Sequence, residues 1–158
     1  MGLPSARKEF EDLRQLVPGV YEAAGAMSKA INAGGVSKHL LELAKIRASQ
    51  LNGCAQCLGM HLNNARAIGM DPQKLDLIAV WPEAGIFDEH EMAVLRWAEV
   101  LTDLVGNEIS DDDFAAINAQ FSEVEVAALS FAIAQINFYN RLGNAYRMSP
   151  PRHHPAMM

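Results

Sequence analysis

Apolar side chains recur at helical spacing along most of this chain. Val94, Trp97, Ala98, Leu101, Leu104 and Val105 follow the i, i+3, i+4, i+7 rule, which makes one apolar stripe between polar faces. Val124, Ala127, Ala128, Phe131, Ala134 and Phe138 repeat the pattern, and Leu142 and Ala145 extend it. Helix-start signals fall where the stripes begin. Asp71–Pro72 reads as an N-cap with proline at the first helical position. Asp88 with Glu91, Ser110 with Asp113 and Ser122 with Glu125 have capping-box spacing. The spacing predicts helices over 5–16, 19–32, 37–51, 54–68, 72–80, 88–105, 111–119 and 122–147, separated by short Gly and Pro breaks, among them Gly34–Gly35, Asn52–Gly53 and Pro82 through Gly85. No segment carries the period-two alternation of a strand or hairpin. The expected fold is all-α: a compact helical bundle over 1–149, forming one domain, then a Pro-rich tail over 150–158 that should be extended or mobile.

Length and charge narrow the function. A domain of 158 residues buries roughly 68–70% of its unfolded surface and needs no covalent staple. Lys and Arg number 13 against 19 Asp and Glu, a formal charge of −6, which argues against a broad nucleic-acid surface. No apolar run approaches the roughly 20 residues of a membrane helix, and the charged opening MGLPSARKEFEDLR is unlike a secretory signal. The expected location is the cytoplasm, with neither nucleic acid nor membrane as partner.

In a reducing compartment two cysteines in one CxxC point to redox chemistry or metal binding rather than a structural staple. Cys54 and Cys57 are that pair, within ELAKIRASQLNGCAQCLGMH from Glu42 to His61. Gly53 should end one helix and Asn52 is a candidate cap for the next. Both thiols then lie in the first turns of the second helix, where unpaired N–H groups and the positive dipole end favour thiolate. His61 follows Cys57 by four residues and Cys54 by seven, so all three project from one face. An imidazole one turn from a thiol can take its proton, and a second thiol can trap an oxidised sulfur as a disulfide. Two other readings stay open on spacing alone. The cysteines could be buried filler, or Cys54, Cys57 and His61 could hold zinc with a fourth ligand that no second CxxC or HxxxH supplies.

Glu42 followed by Cys54-x-x-Cys57-x-x-x-His61 resembles the AhpD-like alkylhydroperoxidase core of the carboxymuconolactone decarboxylase superfamily. The resemblance is specific from about Lys38 to Gly69. It continues more loosely to Met148 through Trp81–Pro82–Glu83, Glu91–Thr102 and Asn137–Arg141. It implies a cofactor-free thiol peroxidase in which Cys57 attacks a peroxide, Cys54 resolves, and His61 with Glu42 relays protons. It implies an external dithiol reductant and a homo-oligomer, trimer or hexamer, with the site near subunit contacts. Many relatives carry His or an aromatic residue before the second cysteine. Gln56 stands there in this chain, and an amide hydrogen-bonds but does not shuttle protons at neutral pH. The alternatives are a general disulfide oxidoreductase or thiol sensor, a non-catalytic zinc-binding or interaction module, and a decarboxylase-like acid–base enzyme.

Several other side chains are singled out by position. Arg47 interrupts the stripe of Leu40, Leu43, Ala44 and Leu51, either snorkelling to water or paired with a carboxylate or thiolate. Ser49, seven residues after Glu42, is expected to share its face and help orient it. Trp81, Trp97, Phe131 and Phe138 read as core or subunit-contact residues, and Met60 and Met92 as packing. His153–His154 reads as part of a solvated tail.

Overall fold

The computed structural model describes residues 5–151, and among these there is no strand. The elements are α1 (Phe10–Leu16), α2 (Pro18–Asn32), α3 (Lys38–Leu51), α4 (Ala55–Ala67), α5 (Pro72–Leu77), a 3-10 turn (Ile78–Val80), α6 (Trp81–Ala84), α7 (Glu89–Thr102), α8 (Asp111–Gln120) and α9 (Glu123–Tyr146). The all-α class follows from the helical period. No described helix is long and apolar enough to cross a membrane.

Helix α3 is the axis of the bundle, packed mainly against α7, α4 and α9. It is buried on most of its surface, through Leu41, Leu43, Ala44, Ile46 and Ala48, and it carries Glu42 and Ser49 inward with them. One core cluster joins α2, α3, α7, α8 and α9 through Ile31, Leu41, Val94, Trp97, Ile117, Leu129 and Ile133. A second joins α3 to α4, α5 and α7 through Leu43, Ile46, Ala65, Leu75 and Leu95. A third and smaller cluster is Ala48, Cys54, Cys57 and Ile136. It lies where α3, α4 and α9 meet.

The caps at Ser110, Ser122, Asp71 and Asp88 form as the spacing predicts, each side chain accepting a backbone N–H two or three residues on. Other expectations shift. Residues 5–9 are not helical: the Arg7 and Lys8 N–H groups donate to the Tyr146 carbonyl, so α1 starts only at Phe10. Helix α7 ends at Thr102, and Leu104 and Val105 fall in the turn completed by Gly106 at φ +79°, with Val105 94% exposed. Pro82, read as part of a break, sits in the first turn of α6, and Gly85 at φ +65° ends it. On α9 the buried face is rotated from the stripe of small and aromatic residues. Val126, Leu129, Ala132, Ile133, Ile136, Asn137, Asn140 and Gly143 face inward, whereas Val124, Phe131 and Phe138 remain exposed. Period alone could not choose between the two faces, because the truly buried one contains asparagines.

The chain leaving α9 does not run free. Ser149 donates through its N–H and its hydroxyl to the Glu9 carboxylate, at 3.1 and 2.6 Å. Pro150 and Pro151 cover Gly59 of α4, where an added Cβ would meet Pro151 Cδ at 3.1 Å. The expected extended tail is therefore packed at its start; His153–His154 lie outside the described residues.

Gly143 is the tightest point in the third cluster. A Cβ there would sit 2.5 Å from Cys54 Sγ and 3.2 Å from Cys57 Sγ, so α9 approaches the sulfurs only because that side chain is absent. Gly25, in mid-α2, has nothing within 4 Å of the same position. Gly143→Ala should destabilise the oxidised protein by about 1–3 kcal/mol through overpacking. Gly25→Ala should stabilise it by about 0.5–1 kcal/mol by relieving helix glycine entropy. Urea denaturation of both variants checks the opposite signs.

Candidate active site

The cysteines are placed by the way α3 stops. Asn52 is the C-cap of α3 and Gly53 takes φ +63°, a left-handed conformation that costs glycine little. The turn is clamped to α9 by an amide network. Asn52 Nδ2 donates to Asn137 Oδ1 at 2.9 Å and Asn140 Oδ1 at 2.8 Å, and Asn144 Nδ2 donates to the Asn52 carbonyl at 2.7 Å. Asn140 Nδ2 in turn donates to the Ser49 hydroxyl at 3.1 Å. Buried amides left unpaired would be costly, so this network holds the turn in one place.

Asn52 is thus not the cap of the next helix, as its position suggests; Cys54 is. Its Sγ accepts the Cys57 N–H at 3.3 Å. Cys57 occupies the third position of α4, and the two sulfurs are joined as a disulfide with Cα atoms 5.4 Å apart. Both residues are only 1% exposed. Both sulfurs sit at the positive end of a 13-residue helix, the position that favours negative charge on sulfur once the bond is reduced.

His61, one turn further along α4, is buried beside Cys57. Its Nδ1 is 2.7 Å from Glu42 Oε2, and the other Glu42 oxygen accepts from Lys45 Nζ at 3.2 Å. With Nδ1 so engaged, Nε2 is the ring nitrogen left for a reacting group. Burial pushes the Glu42 carboxyl up. The hydrogen bond and charge of His61 and then the Lys45 ammonium outweigh it, leaving Glu42 below the ordinary carboxylate range. Glu42 is therefore an anion near neutrality, able to hold and stabilise a protonated imidazole.

Cys57 and His61 open onto one cavity of about 200 Å³. Its remaining wall is mostly apolar, with Phe10, Tyr21, Tyr139 and Met148 among its residues, and it also carries Lys45, Ser28, Gln56 and Gln135. Phe10 packs edge-on against Tyr21, ring centres 4.7 Å apart, so α1 closes one side. An apolar cavity of about 150 Å³ admits benzene, so this one has room for a ring-sized organic molecule beside the sulfur. The Tyr21 hydroxyl is buried without a hydrogen-bond partner among the described residues. Burial raises the phenols of Tyr21 and Tyr139, the latter also through Tyr21. Both phenols stay protonated at neutral pH and act as wall, not as base.

The structure brings together Glu42, Cys54, Cys57 and His61, the four residues expected to carry the chemistry. Ser49 does not orient Glu42: its hydroxyl is taken by Asn140, on the α9 side of α3. Arg47 resolves to the paired alternative. Its Nη2 lies 2.7 Å from Glu99 Oε1, the oxygen that also accepts from Trp81 Nε1 at 2.8 Å. Trp97 is core and donates to the Ser130 hydroxyl at 3.0 Å. Met60 lines the cavity wall. Lys45 and the aromatic wall escaped the sequence reading. Lys45 stands three residues from Glu42, a spacing that pairs charges on any helix surface and so carried no distinguishing signal. Phe10, Tyr21 and Tyr139 are distant in sequence and converge only through the packing of α1 and α2 on α9. Among the described residues no group of three or more His, Cys, Asp or Glu is arranged to hold a metal ion.

Residues 18–100 match the carboxymuconolactone decarboxylase family. The chain belongs to that family. The uncharacterized protein YdfG of Bacillus subtilis (strain 168) is 31% identical over 119 residues, which are 75% of this chain and 81% of the relative. The crystal structure of an Agrobacterium tumefaciens protein of unknown function, with a suggested role as the antioxidant defence protein AhpD, is also 31% identical. It aligns with a TM-score of 0.86 over 93% of this chain and 99% of its own. The debrominase Bmp8, solved as a cysteine-to-alanine variant with 2,3,4-tribromopyrrole, is 16% identical with a TM-score of 0.76, over 96% and 94% of the two chains. At that identity the debrominase shares the fold alone. The domain is therefore an AhpD-like member of the family.

Because the folded state lowers the Glu42 pKa, this carboxylate stabilises the fold above its unfolded value of about 4.3. That contribution is lost as pH falls through the lower, folded value. The stability advantage of the native protein over Glu42→Gln should be largest between pH 5 and 7, about 1–3 kcal/mol for a buried charged hydrogen bond, and should shrink below pH 4. Urea titrations of both proteins across that range measure it.

Proposed function

We propose that this protein is a thiol-dependent peroxidase that needs no metal or prosthetic group. The observation that carries the reading is the shared cavity, where Cys57 and a Glu42-held His61 face the same ring-sized apolar space. In the reduced protein, helix position and imidazole favour the Cys57 thiolate. The thiolate attacks one peroxide oxygen, the O–O bond breaks, and the departing oxygen takes a proton from His61 to leave as water or an alcohol. Cys57 is now a sulfenic acid. The Cys54 thiolate attacks that sulfur, and hydroxide leaves as water with a proton from the same relay. The product is the Cys54–Cys57 disulfide, returned to thiols by an external dithiol.

The resemblance to AhpD-type proteins and the apolar wall favour an organic hydroperoxide over hydrogen peroxide. Gln56, which lines the cavity, can hydrogen-bond to the substrate and takes no part in proton transfer. We also propose a homo-oligomer. Val124, Phe131 and Phe138 form an exposed apolar stripe on α9, the type of surface that marks a protein contact, and a second copy of this chain is its occupant.

Reduced protein mixed with one equivalent of cumene hydroperoxide should lose both thiols and one equivalent of peroxide. Cys57→Ser should lower the rate by at least about 10²-fold, since it removes the nucleophile. Cys54→Ser should retain the first turnover and accumulate a sulfenic acid that dimedone traps. Thiols that survive excess peroxide, or peroxide consumption unaffected by Cys57→Ser, would refute the reading. Activity on a lactone acid that survives loss of both cysteines would instead point to acid–base chemistry.

A further inference from the structure

The two sulfurs of the disulfide are not equivalent. Cys57 lines the cavity and Cys54 does not. Cys54 Sγ is pressed against α9 at Gly143, where even a methyl group would lie 2.5 Å away. Its other neighbours are Ala48, Cys57 and Ile136 of the same small cluster. With both residues 1% exposed, a thiol from outside reaches sulfur by way of the cavity.

The helix start can also receive the departing sulfur. Thiol–disulfide exchange depends on access to the attacked sulfur and runs faster when the departing thiol has the lower pKa. Cys54 is the N-cap of α4, and its sulfur already accepts the Cys57 N–H at 3.3 Å. A thiolate at that position gains a charge-assisted hydrogen bond and the helix dipole. Cys54 is therefore the less accessible target, and its thiolate is stabilised where it departs.

We propose that the reducing thiol enters by the same cavity as the oxidant and attacks Cys57 Sγ, with Cys54 departing as thiolate. This rests on the thiol-peroxidase reading for the origin of the disulfide, not for the direction of its opening. In the first step the external thiolate forms a bond to Cys57 Sγ, the Cys54–Cys57 bond breaks, and Cys54 keeps the electron pair. In the second, the other thiolate of a dithiol attacks its own sulfur in the mixed disulfide. Cys57 then leaves as thiolate, and a cyclic disulfide departs. The dithiol loses two electrons and two protons; the protein gains the electrons, and Cys54 and the His61–Glu42 pair take the protons. Both half-reactions thus converge on one sulfur, and oxidant and reductant exclude each other from the cavity.

Partial reduction of the native oxidised protein decides this without any substitution. Brief exposure to 2-mercaptoethanol, followed at once by excess N-ethylmaleimide and acid, freezes the mixed disulfide. The tryptic peptide Ala48–Arg66 carries both cysteines, and its fragment ions locate each label. The expected pattern is mercaptoethanol on Cys57 and maleimide on Cys54, in excess of the reverse by about tenfold or more, because the cavity gives access to Cys57 alone. An equal mixture, or adduct mainly on Cys54, overturns the proposal. The experiment uses no peroxide: a protein that fails to reduce peroxides still gives this readout, and an adduct on Cys54 leaves the peroxidase reading standing.

Discussion

The arrangement depends on one hydrogen bond, 2.7 Å between Glu42 of α3 and His61 of α4. A carboxylate on the most buried helix of a bundle is a liability unless it is paired. Glu42 is paired on both oxygens, by an imidazole across the helix interface and by an ammonium three residues along its own helix. That double pairing keeps an anion inside the protein near neutrality. It also fixes the imidazole, because Nδ1 is spent on Glu42 and Nε2 remains for the cavity. Orientation of a histidine by a buried carboxylate is a general device for making it a competent base, and here α3 and α4 exist at that spacing because Leu43, Ile46 and Ala65 pack between them.

Around that bond the sulfur chemistry is set by backbone. The end of α3 is turned by Gly53 and held by amides of α9, which delivers Cys54 to the first capping position of α4 and Cys57 to its first turn. Gly143 lets α9 close over the sulfurs. The same closure divides their roles: one sulfur faces the cavity and the other faces protein. A solvent-exposed CxxC would offer both to any thiol or oxidant. Burial leaves the cavity, walled by aromatic side chains of α1, α2 and α9, as the approach to Cys57.

Most of this was legible in the chain. Periodicity and caps located the long helices to within a few residues, and Cys54, Cys57 and His61 share a face by simple arithmetic of helical turns. Glu42 is a different case. Nothing in its own surroundings distinguishes it from an exposed helix glutamate, and it entered only through the resemblance of its spacing to the AhpD-like pattern. The buried face of α9 was misplaced for a physical reason. It is built from Asn137, Asn140 and Gly143, residues chosen for hydrogen bonds and clearance rather than hydrophobicity, so an apolar-stripe argument selects the exposed side. The roles of Ser49 and Asn52 were misjudged for the same reason: both serve that polar network, whose partners lie some ninety residues away. Long-range convergence, as in Phe10 against Tyr21 and Tyr139, leaves no local trace at all.

The central claim is that the fold lowers the pKa of the Cys57 thiol. The direct measurement is the pH dependence of iodoacetamide alkylation at Cys57, in reduced Cys54→Ser protein where only one thiol reacts. A helix start and a held imidazole should place half-ionisation at or below about pH 7.5, with Glu42→Gln moving it upward. A midpoint at the free-cysteine value of about 8.5 or above, unchanged by Glu42→Gln, would contradict the account.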